Sequence, residues 1–545
     1  MKNLKVNIVS DTVLDYLSPF LNQASSGRIE CQVAPYNQVA QTLLSEPEAD
    51  SENLFLWTSP DIQCPKYSNL LAFEEIGLQA IIEEVSQFSN LIKNASKKYN
   101  SIFMMSWIFP PEKRWPLSLA TKSCKGATDV LNRMNIHLSE NLKGTNNFHL
   151  IDQTTLVYNF NKPIHDPRLY ALARIRYSLD YIKFVAVNVK PLITATIDPS
   201  IKIIICDLDN TLWGGTVGDD GVDGLKIGGN DPTGEAHLLV QKELIALNNR
   251  GILLAISSKN ESDIAIHAIK NHPNMLLREC NFAAKRINWD DKAKNILSLL
   301  KELNLLPSSA VFIDDNPTER QRIRDALPDI IVPEMPQDVS EWATIINSLP
   351  CLETLSQSQE DLNRSKNYQL ETKRVEAQKL FGNLDDWLAS LNLAIKVSGL
   401  SKANLQRTTQ LLNKTNQFNL RTRRLSEEEL YEWSRNDQRK CLTFSVSDRY
   451  GDSGLTSFVS IEKKDTQWEI IDFVMSCRIM GKGVEYAILS EIIKQKKGSE
   501  KLHMETIATK KNLPMRNFIK EVTKDQMVLD TIICPSHISI GRDVV

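Results

Sequence analysis

The chain of 545 residues contains no Cys-x-x-Cys pair; its nine cysteines, at 31, 64, 124, 206, 280, 351, 441, 477 and 534, are odd in number and widely scattered. Zinc-ribbon and thioredoxin-type motifs are therefore excluded, and the cysteines read as thiols of a reducing compartment. Basic charge is not in excess either: 64 Lys and Arg face 67 Asp and Glu, for a net charge of -3, so there is no polycation to bind nucleic acid or a membrane surface. No run approaches the roughly 18 apolar residues of a membrane span. The start, "MKNLKVNIVSDTVLDYL", lacks the apolar core of a signal peptide. These absences leave a cytoplasmic enzyme or binding protein as the expectation. At roughly 150 residues per domain the length suggests three or four domains, each able to bury a core.

What is present is an alternation of strand-like and helix-like segments. From 1 to 195, "LKVNIVSD" and "HLIDQTTLVYNF" read as strands, and "RLYALARIRYSLDYIKFVAVNV" has helical spacing, which gives an α/β domain. From 196 to 345 strands are expected at 201–206, 252–257 and 310–313, with helices near 234–249, 261–271, 290–304 and 318–326, the pattern of a parallel sheet covered on both faces. The polar segment 346–390, with "SQSQEDLNRSKNYQLETKRVEAQKL", reads as a helical linker. From 391 to 545, "NLAIKVS", "CLTFSVSDR", "LTSFVSIEK" and "WEIIDFVMS" are strand-like and precede the helix "GVEYAILSEIIKQ".

Chemistry concentrates at strand ends in the second segment. "IIICDLDNTLWGG" runs from an apolar strand into Asp207 and Asp209; "GILLAISSKN" ends in Ser257 and Ser258; Lys292 lies in "NWDDKAKNI"; "AVFIDDNPTER" ends in Asp314 and Asp315. In a doubly wound sheet ligands bind beyond the carboxyl ends of the strands. Acids, a hydroxyl and a cation gathered there supply what phosphoryl transfer needs: a nucleophile, magnesium ligands and charge neutralisation.

This order resembles the haloacid dehalogenase superfamily of aspartate-based phosphotransferases. The resemblance implies Asp207 as the nucleophile that forms an aspartyl phosphate and Asp209 as the general acid and base. Thr211 completes D-x-D-x-T at the substrate, Ser258 is the phosphate-binding hydroxyl, and Lys292 is the cation that steadies nucleophile and phosphate. Asp314 is the Mg2+ ligand, together with Asp207 and the Asp209 backbone carbonyl; Ser257 and Asp315 are the nearest alternatives at the substrate. The longer words "DLDNTLWGGTVGDDG", "SSKNES", "NWDDKAKNI", "FIDDNPTER" and "RTTQLLNKTNQFNLRTRRLS" are similar to the FkbH-like branch. That branch implies removal of the phosphates of 1,3-bisphosphoglycerate and delivery of a glyceryl group to the phosphopantetheine thiol of an acyl carrier protein, for polyketide or related assembly. Where the branch is expected to carry a cysteine before the motif serine, this chain has Ser257.

Two flanking segments carry weaker resemblances. "RIMGKG" has the R-x-x-G-x-G spacing of acetyltransferase-like folds, and it implies Arg478, Gly481 and Gly483 as a cradle for the pyrophosphate of coenzyme A or for a pantetheine arm. The first 195 residues loosely resemble the SGNH-type hydrolase domain. Ser10, Asp11 and Thr12 replace its Gly-Asp-Ser order, and His165 stands without its D-x-x-H spacing, so a non-catalytic domain is expected. Cys206 points across the sheet into the core by strand alternation. His237, His267 and His272 have no metal-ligand spacing. Two readings compete with glyceryl transfer: a plain phosphatase on another small phosphorylated metabolite, and a non-catalytic protein that docks carriers.

Overall fold

The computed structural model describes residues 3–542 apart from 48–51, 358, 365–366, 369, 371–373, 375–376, 379–380, 465–466, 496–500, 510–511, 524–527 and 530–531. Contacts divide the chain into two units, 1–362 and 363–545. The first unit contains two parallel sheets and the second contains one mixed sheet. Among the described residues no helix is long and apolar enough to cross a membrane.

The first sheet comprises β1 (Leu4–Ser10), β2 (Ile29–Val33), β3 (Asn53–Trp57), β4 (Ser101–Met105) and β5 (Phe148–Ile151), in the order β2-β1-β3-β4-β5, all parallel. Leu54, Leu56, Ile102 and Met104 face the helices Leu78–Ser96 and Ala127–Leu142. Phe55, Trp57, Phe103 and Met105 face Leu179–Thr194 on the other side. Burial on both faces is why these strands are apolar runs without polar alternation. The order is that of a flavodoxin-like sheet, whose crevice opens between β1 and β3.

The second sheet, order β8-β7-β6-β9, is also parallel: β6 (Ile203–Cys206), β7 (Leu253–Ser258), β8 (Phe282–Ile287) and β9 (Ala310–Ile313). Ile204, Cys206, Leu254, Ile256, Val311 and Ile313 share one core with Val240 and Leu244 of helix Pro232–Asn249 and with Ala265 and Ile269 of helix Ser262–Asn271. Cys206 is fully buried in that core, as expected, and burial raises its thiol far above the ordinary range. The opposite face carries helix Lys292–Glu302, which Asp291 caps by accepting the Lys294 N–H at 3.1 Å.

Two expectations for the first segment change. Only the first three residues of "HLIDQTTLVYNF" are strand, the end of Phe148–Ile151, because the Asp152 carboxylate accepts the N–H groups of Thr154 and Thr155 and starts a helix at Gln153. The long helical run is two helices, Pro167–Ala173 and Leu179–Thr194, broken where Arg174 takes a left-handed φ of 57°.

The start of the segment read as a linker is instead strapped onto the first unit. Ile346 and Leu352 enter the core of the second sheet, and Leu355 packs against that of the first. The Gln357 side chain donates to the Arg250 carbonyl at 2.8 Å. At Gly251, φ is +95° and a Cβ would lie 1.6 Å from the Asp361 carbonyl oxygen, so only glycine fits beneath this strap. Helix is present at Gln359–Leu362 and Leu384–Ser390, and part of the intervening stretch lies outside the described residues.

The second unit holds β10 (Leu393–Gly399), β11 (Arg439–Asp448), β12 (Gly451–Lys464), β13 (Gln467–Met475), β14 (Lys501–Met504), β15 (Val528–Leu529) and β16 (Ile538–Arg542). Their order is β15-β14-β13-β12-β11-β10-β16. The β10 to β13 run is antiparallel, while β13/β14 and β10/β16 are parallel.

Candidate active site

The register of the second sheet builds the site. Cys206 pairs with Ile256 on one side and with Ile313 on the other, so the next residues in each strand, Asp207, Ser257 and Asp314, share a row. The ladder continues into that row, since the Asp207 N–H donates to the Ile313 carbonyl at 3.0 Å. All three point away from Cys206, toward the helix that begins with Lys292. The Lys292 ammonium donates to Asp207 Oδ2 at 2.7 Å and to Asp314 Oδ2 at 2.5 Å. All three groups are withdrawn from solvent: Asp207 is 8% exposed, Lys292 3% and Asp314 0%.

Charge in this pocket is unbalanced. One carboxylate oxygen from each of Asp207, Asp314 and Asp315 lies within 4.8 Å of the others, and Lys292 is the ammonium among them. Burial, and then the charge of Asp207, push the Asp314 carboxyl up to about 6 against the pull of Lys292. The same two causes raise Asp315. Burial acts against the charge on Lys292, but Asp207 and Asp314 outweigh it and hold the ammonium above the ordinary lysine value. Three hard oxygen donors with excess negative charge fit Mg2+ better than a soft transition metal.

Asp315, expected at the substrate as an alternative to Asp314, joins Asp314 in this cluster. The Asp209 carboxylate is not part of it. Its Oδ1 accepts from the Trp213 indole at 2.8 Å and the Val217 N–H at 3.0 Å, and its Oδ2 accepts from the Asn260 amide at 2.9 Å. Ser258 Oγ accepts from the same Asn260 amide at 3.2 Å. Thr211, expected at the substrate, instead braces the fold. It is 0% exposed, and its Oγ1 accepts the Asp315 N–H at 3.2 Å, tying the turn after β6 to the turn after β9. The Ser257 hydroxyl is fully buried and meets no hydrogen-bonding partner among the described residues.

Three residues that sequence reasoning assigned no role complete the arrangement: Asn260, Trp213 and Arg320. Arg320 is 4% exposed and donates to the carbonyls of Asp314 at 2.9 Å and Asp315 at 2.7 Å, so it supports the turn that presents both acids. Each lies inside one of the words "SSKNES", "DLDNTLWGG" or "FIDDNPTER", but nothing in a linear pattern shows where an amide or guanidinium is aimed.

The other candidates lie elsewhere. At the end of β1 the Ser10 hydroxyl donates to the Trp57 carbonyl at 2.6 Å and that of Thr12 to the Arg174 carbonyl at 2.6 Å. His165 Nδ1 faces the Arg176 carbonyl at 2.6 Å. Asp11 accepts from the Ser59 N–H, the Ser59 hydroxyl and Gln63 at 2.7, 2.9 and 2.8 Å. In the second unit, "RIMGKG" does lie between β13 and the helix Val484–Ile493. Gly481 and Gly483 have φ of +74° and +79°, which favour glycine, and the Arg478 carbonyl accepts from Lys482 at 3.1 Å. The Glu485 carboxyl, which burial pushes above its ordinary value, lies against the Gly481 N–H. The Cys477 side chain lies outside the described residues.

No protein-family model matches the chain, and no curated protein matches it. Among solved structures it is similar to the N-terminal part of a Bacteroides fragilis protein that contains a phosphatase domain and was complexed with Mg. Identity is 27% and the TM-score 0.57, over 65% of this chain and 95% of that one. Over the matched residues the chain shares the fold of that phosphatase-containing structure. The match covers more than the 196–345 segment alone can supply. Much weaker likenesses are to the ribosomal-protein-S18-alanine N-acetyltransferase of Escherichia coli (14% identity, TM-score 0.17, 21% of this chain and 69% of that one) and to an α/β hydrolase from the metagenome of Lake Arreo (10% identity, TM-score 0.24, 36% and 98%). At such scores these two carry no argument.

Proposed function

We propose that this chain is a magnesium-dependent phosphatase and glyceryl transferase of the FkbH-like type, acting on 1,3-bisphosphoglycerate and an acyl carrier protein. The observation that carries the phosphatase half is the convergence of Asp207, Asp314 and Asp315 on Lys292 at the carboxyl end of a parallel sheet. The glyceryl half is supported by the sequence words shared with that family.

Asp207, Asp314 and Asp315 would hold Mg2+, which when bound neutralises the phosphoryl charge. Asp207 attacks the phosphorus of the ester phosphate, the P–O bond to the sugar-acid oxygen breaks, and Asp209 gives that oxygen a proton. Water then attacks the aspartyl phosphate, the bond to Asp207 breaks, and the water proton passes to Asp209. Lys292 holds the nucleophile in place, and the Ser258 hydroxyl donates to a phosphoryl oxygen. The acyl phosphate must be used differently: attack at its phosphorus would release a free carboxylate and forfeit the activation. The carrier thiol therefore attacks the acyl carbon, and inorganic phosphate leaves.

The plain phosphatase remains the second reading, and one observation favours it. Cys206 is buried across the sheet and Ser257 occupies the row beside Asp207, so no described thiol stands at the site. Incubation with 1,3-bisphosphoglycerate and a phosphopantetheinylated carrier, followed by carrier mass, separates the two. A gain of one glyceryl group supports transfer. Phosphate release with an unchanged carrier mass leaves the phosphatase.

A further inference from the structure

We infer that Asn260 is a positioning residue that serves both steps of phosphate removal by fixing Asp209 and Ser258 with one amide group. The inference rests on the phosphatase reading of the site. Asn260 is 5% exposed, in the turn between β7 and helix Ser262–Asn271. Its Nδ2 has two hydrogens and two acceptors, Asp209 Oδ2 at 2.9 Å and Ser258 Oγ at 3.2 Å. Each bond constrains a different reacting group.

On the Asp209 side, Trp213 and Val217 hold Oδ1, so Asn260 is what fixes the second oxygen and hence the rotation of the carboxylate about its last bond. A carboxylate anchored at one oxygen still swings; one anchored at both presents a single edge. That edge decides whether the proton of an attacking water meets an oxygen lone pair, and a misplacement of about 1 Å in such a group costs about 10²-fold. On the Ser258 side, a hydroxyl that accepts from Asn260 directs its own proton elsewhere, and no described residue takes that proton. The hydroxyl is left as a donor for a phosphoryl oxygen.

Asn260 bonds to Asp209 and Ser258 and not to the carboxylate cluster of Asp207, Asp314 and Asp315, so its effect shows in the partition between steps. The probe is p-nitrophenyl phosphate with magnesium, whose leaving group needs little protonation, so release of nitrophenol reports attack by Asp207 and the later rate reports hydrolysis of the aspartyl phosphate. In Asn260→Ala the second step slows by about 10- to 10²-fold, below the 10²–10⁴ of losing an acid–base group outright. A pre-steady-state burst of nitrophenol approaching one per site then appears or grows relative to the wild type.

Asn260→Asp keeps the shape but turns a donor into an acceptor facing Asp209. It is slower than Asn260→Ala if the hydrogen bonds matter, and faster if Asn260 merely fills space. Equal loss of burst and steady rate in both variants, or full activity in both, overturns the inference. Asp207→Asn is the control for the underlying reading: if it still turns over, or if the wild type releases no nitrophenol, the phosphatase reading fails and this inference falls with it. An inactive Asp207→Asn beside an unaltered Asn260→Ala removes Asn260 alone.

Discussion

The first unit contains two parallel sheets, and each ends in acids around one buried cation: Arg176, 2% exposed, in the first and Lys292, 3% exposed, in the second. They differ in where the acids point. Beyond β1 and β3, Arg176 takes both oxygens of Asp61 at 2.9 Å and adds Glu112 at 2.8 Å, while Asp11 is held by Ser59 and Gln63. Beyond β6 and β9, three carboxylates face one another with a single ammonium between them. A guanidinium fork saturates its partner, whereas an ammonium is a point charge that leaves lone pairs free. An acid at a strand end is thus common to a packed crevice and to a reactive one. Like charges brought together against their own repulsion mark the reactive one.

The largest effect that would test this contrast is Asp207→Asn. It should abolish phosphate release with the melting temperature nearly unchanged, because the amide keeps the shape but cannot attack phosphorus. Asp11→Asn should leave turnover as it was. Loss of activity in the second variant, or its survival in the first, would erase the distinction between the two sheets. Next comes Lys292→Met, which should lower turnover by about 10²–10³-fold, the scale of removing one preorganised charge. Arg176→Met should leave turnover per folded molecule alone and cost about 1–3 kcal/mol in denaturant melts, because the half-buried Asp61 and Glu112 would lose their cation.

A smaller effect sharpens the comparison through pH. Asp11 lies at about 6 in the folded chain against an ordinary 3.8, since burial outweighs its hydrogen bonds. The folded state therefore binds that proton more tightly, and stability falls as pH rises from about 4 to 6, then stays level above. Subtracting the melts of Asp11→Asn from those of the wild type isolates this slope from the similar one of Asp314. A difference that rises with pH would contradict it. The smallest effect expected is that of Ser257→Ala. Its hydroxyl is buried without a partner among the described residues, so removing it should leave phosphate release within about 3-fold and stability equal or slightly higher.

Much of the second sheet was legible in the sequence, because its strands and helices follow clean apolar periods: β9 falls at 310–313 and helix Pro232–Asn249 within two residues of expectation. The edge strand β8 was not, since "FAAKRI" is buried over its first half and partly exposed over its second and shows neither alternation nor an unbroken apolar run. Helix Val217–Gly224 was hidden by its three glycines, one of which, Gly221, breaks the helical backbone at φ 67°. In the first sheet "TTLV", with three β-branched residues in four, read as strand, and the cap from Asp152 reversed it. At the site, the resemblance implied Asp207, Lys292 and Asp314 as partners, and they do meet. The partition of Asp209 from Asp315, and the burial of Thr211, depend on side-chain direction after the strand ends, where alternation no longer applies.

The strap over Gly251 has a bearing on how the protein is made. Leu352, Leu355 and Asp361 reach back to both sheets of the first unit, so neither sheet can finish its surface while those residues are still in the ribosomal tunnel. Translation at roughly 5–20 residues per second therefore has to run past 361, and not merely past β9, before the unit closes. Until then Asp207 and its neighbours wait in an incomplete structure whose last fastening has yet to be synthesised.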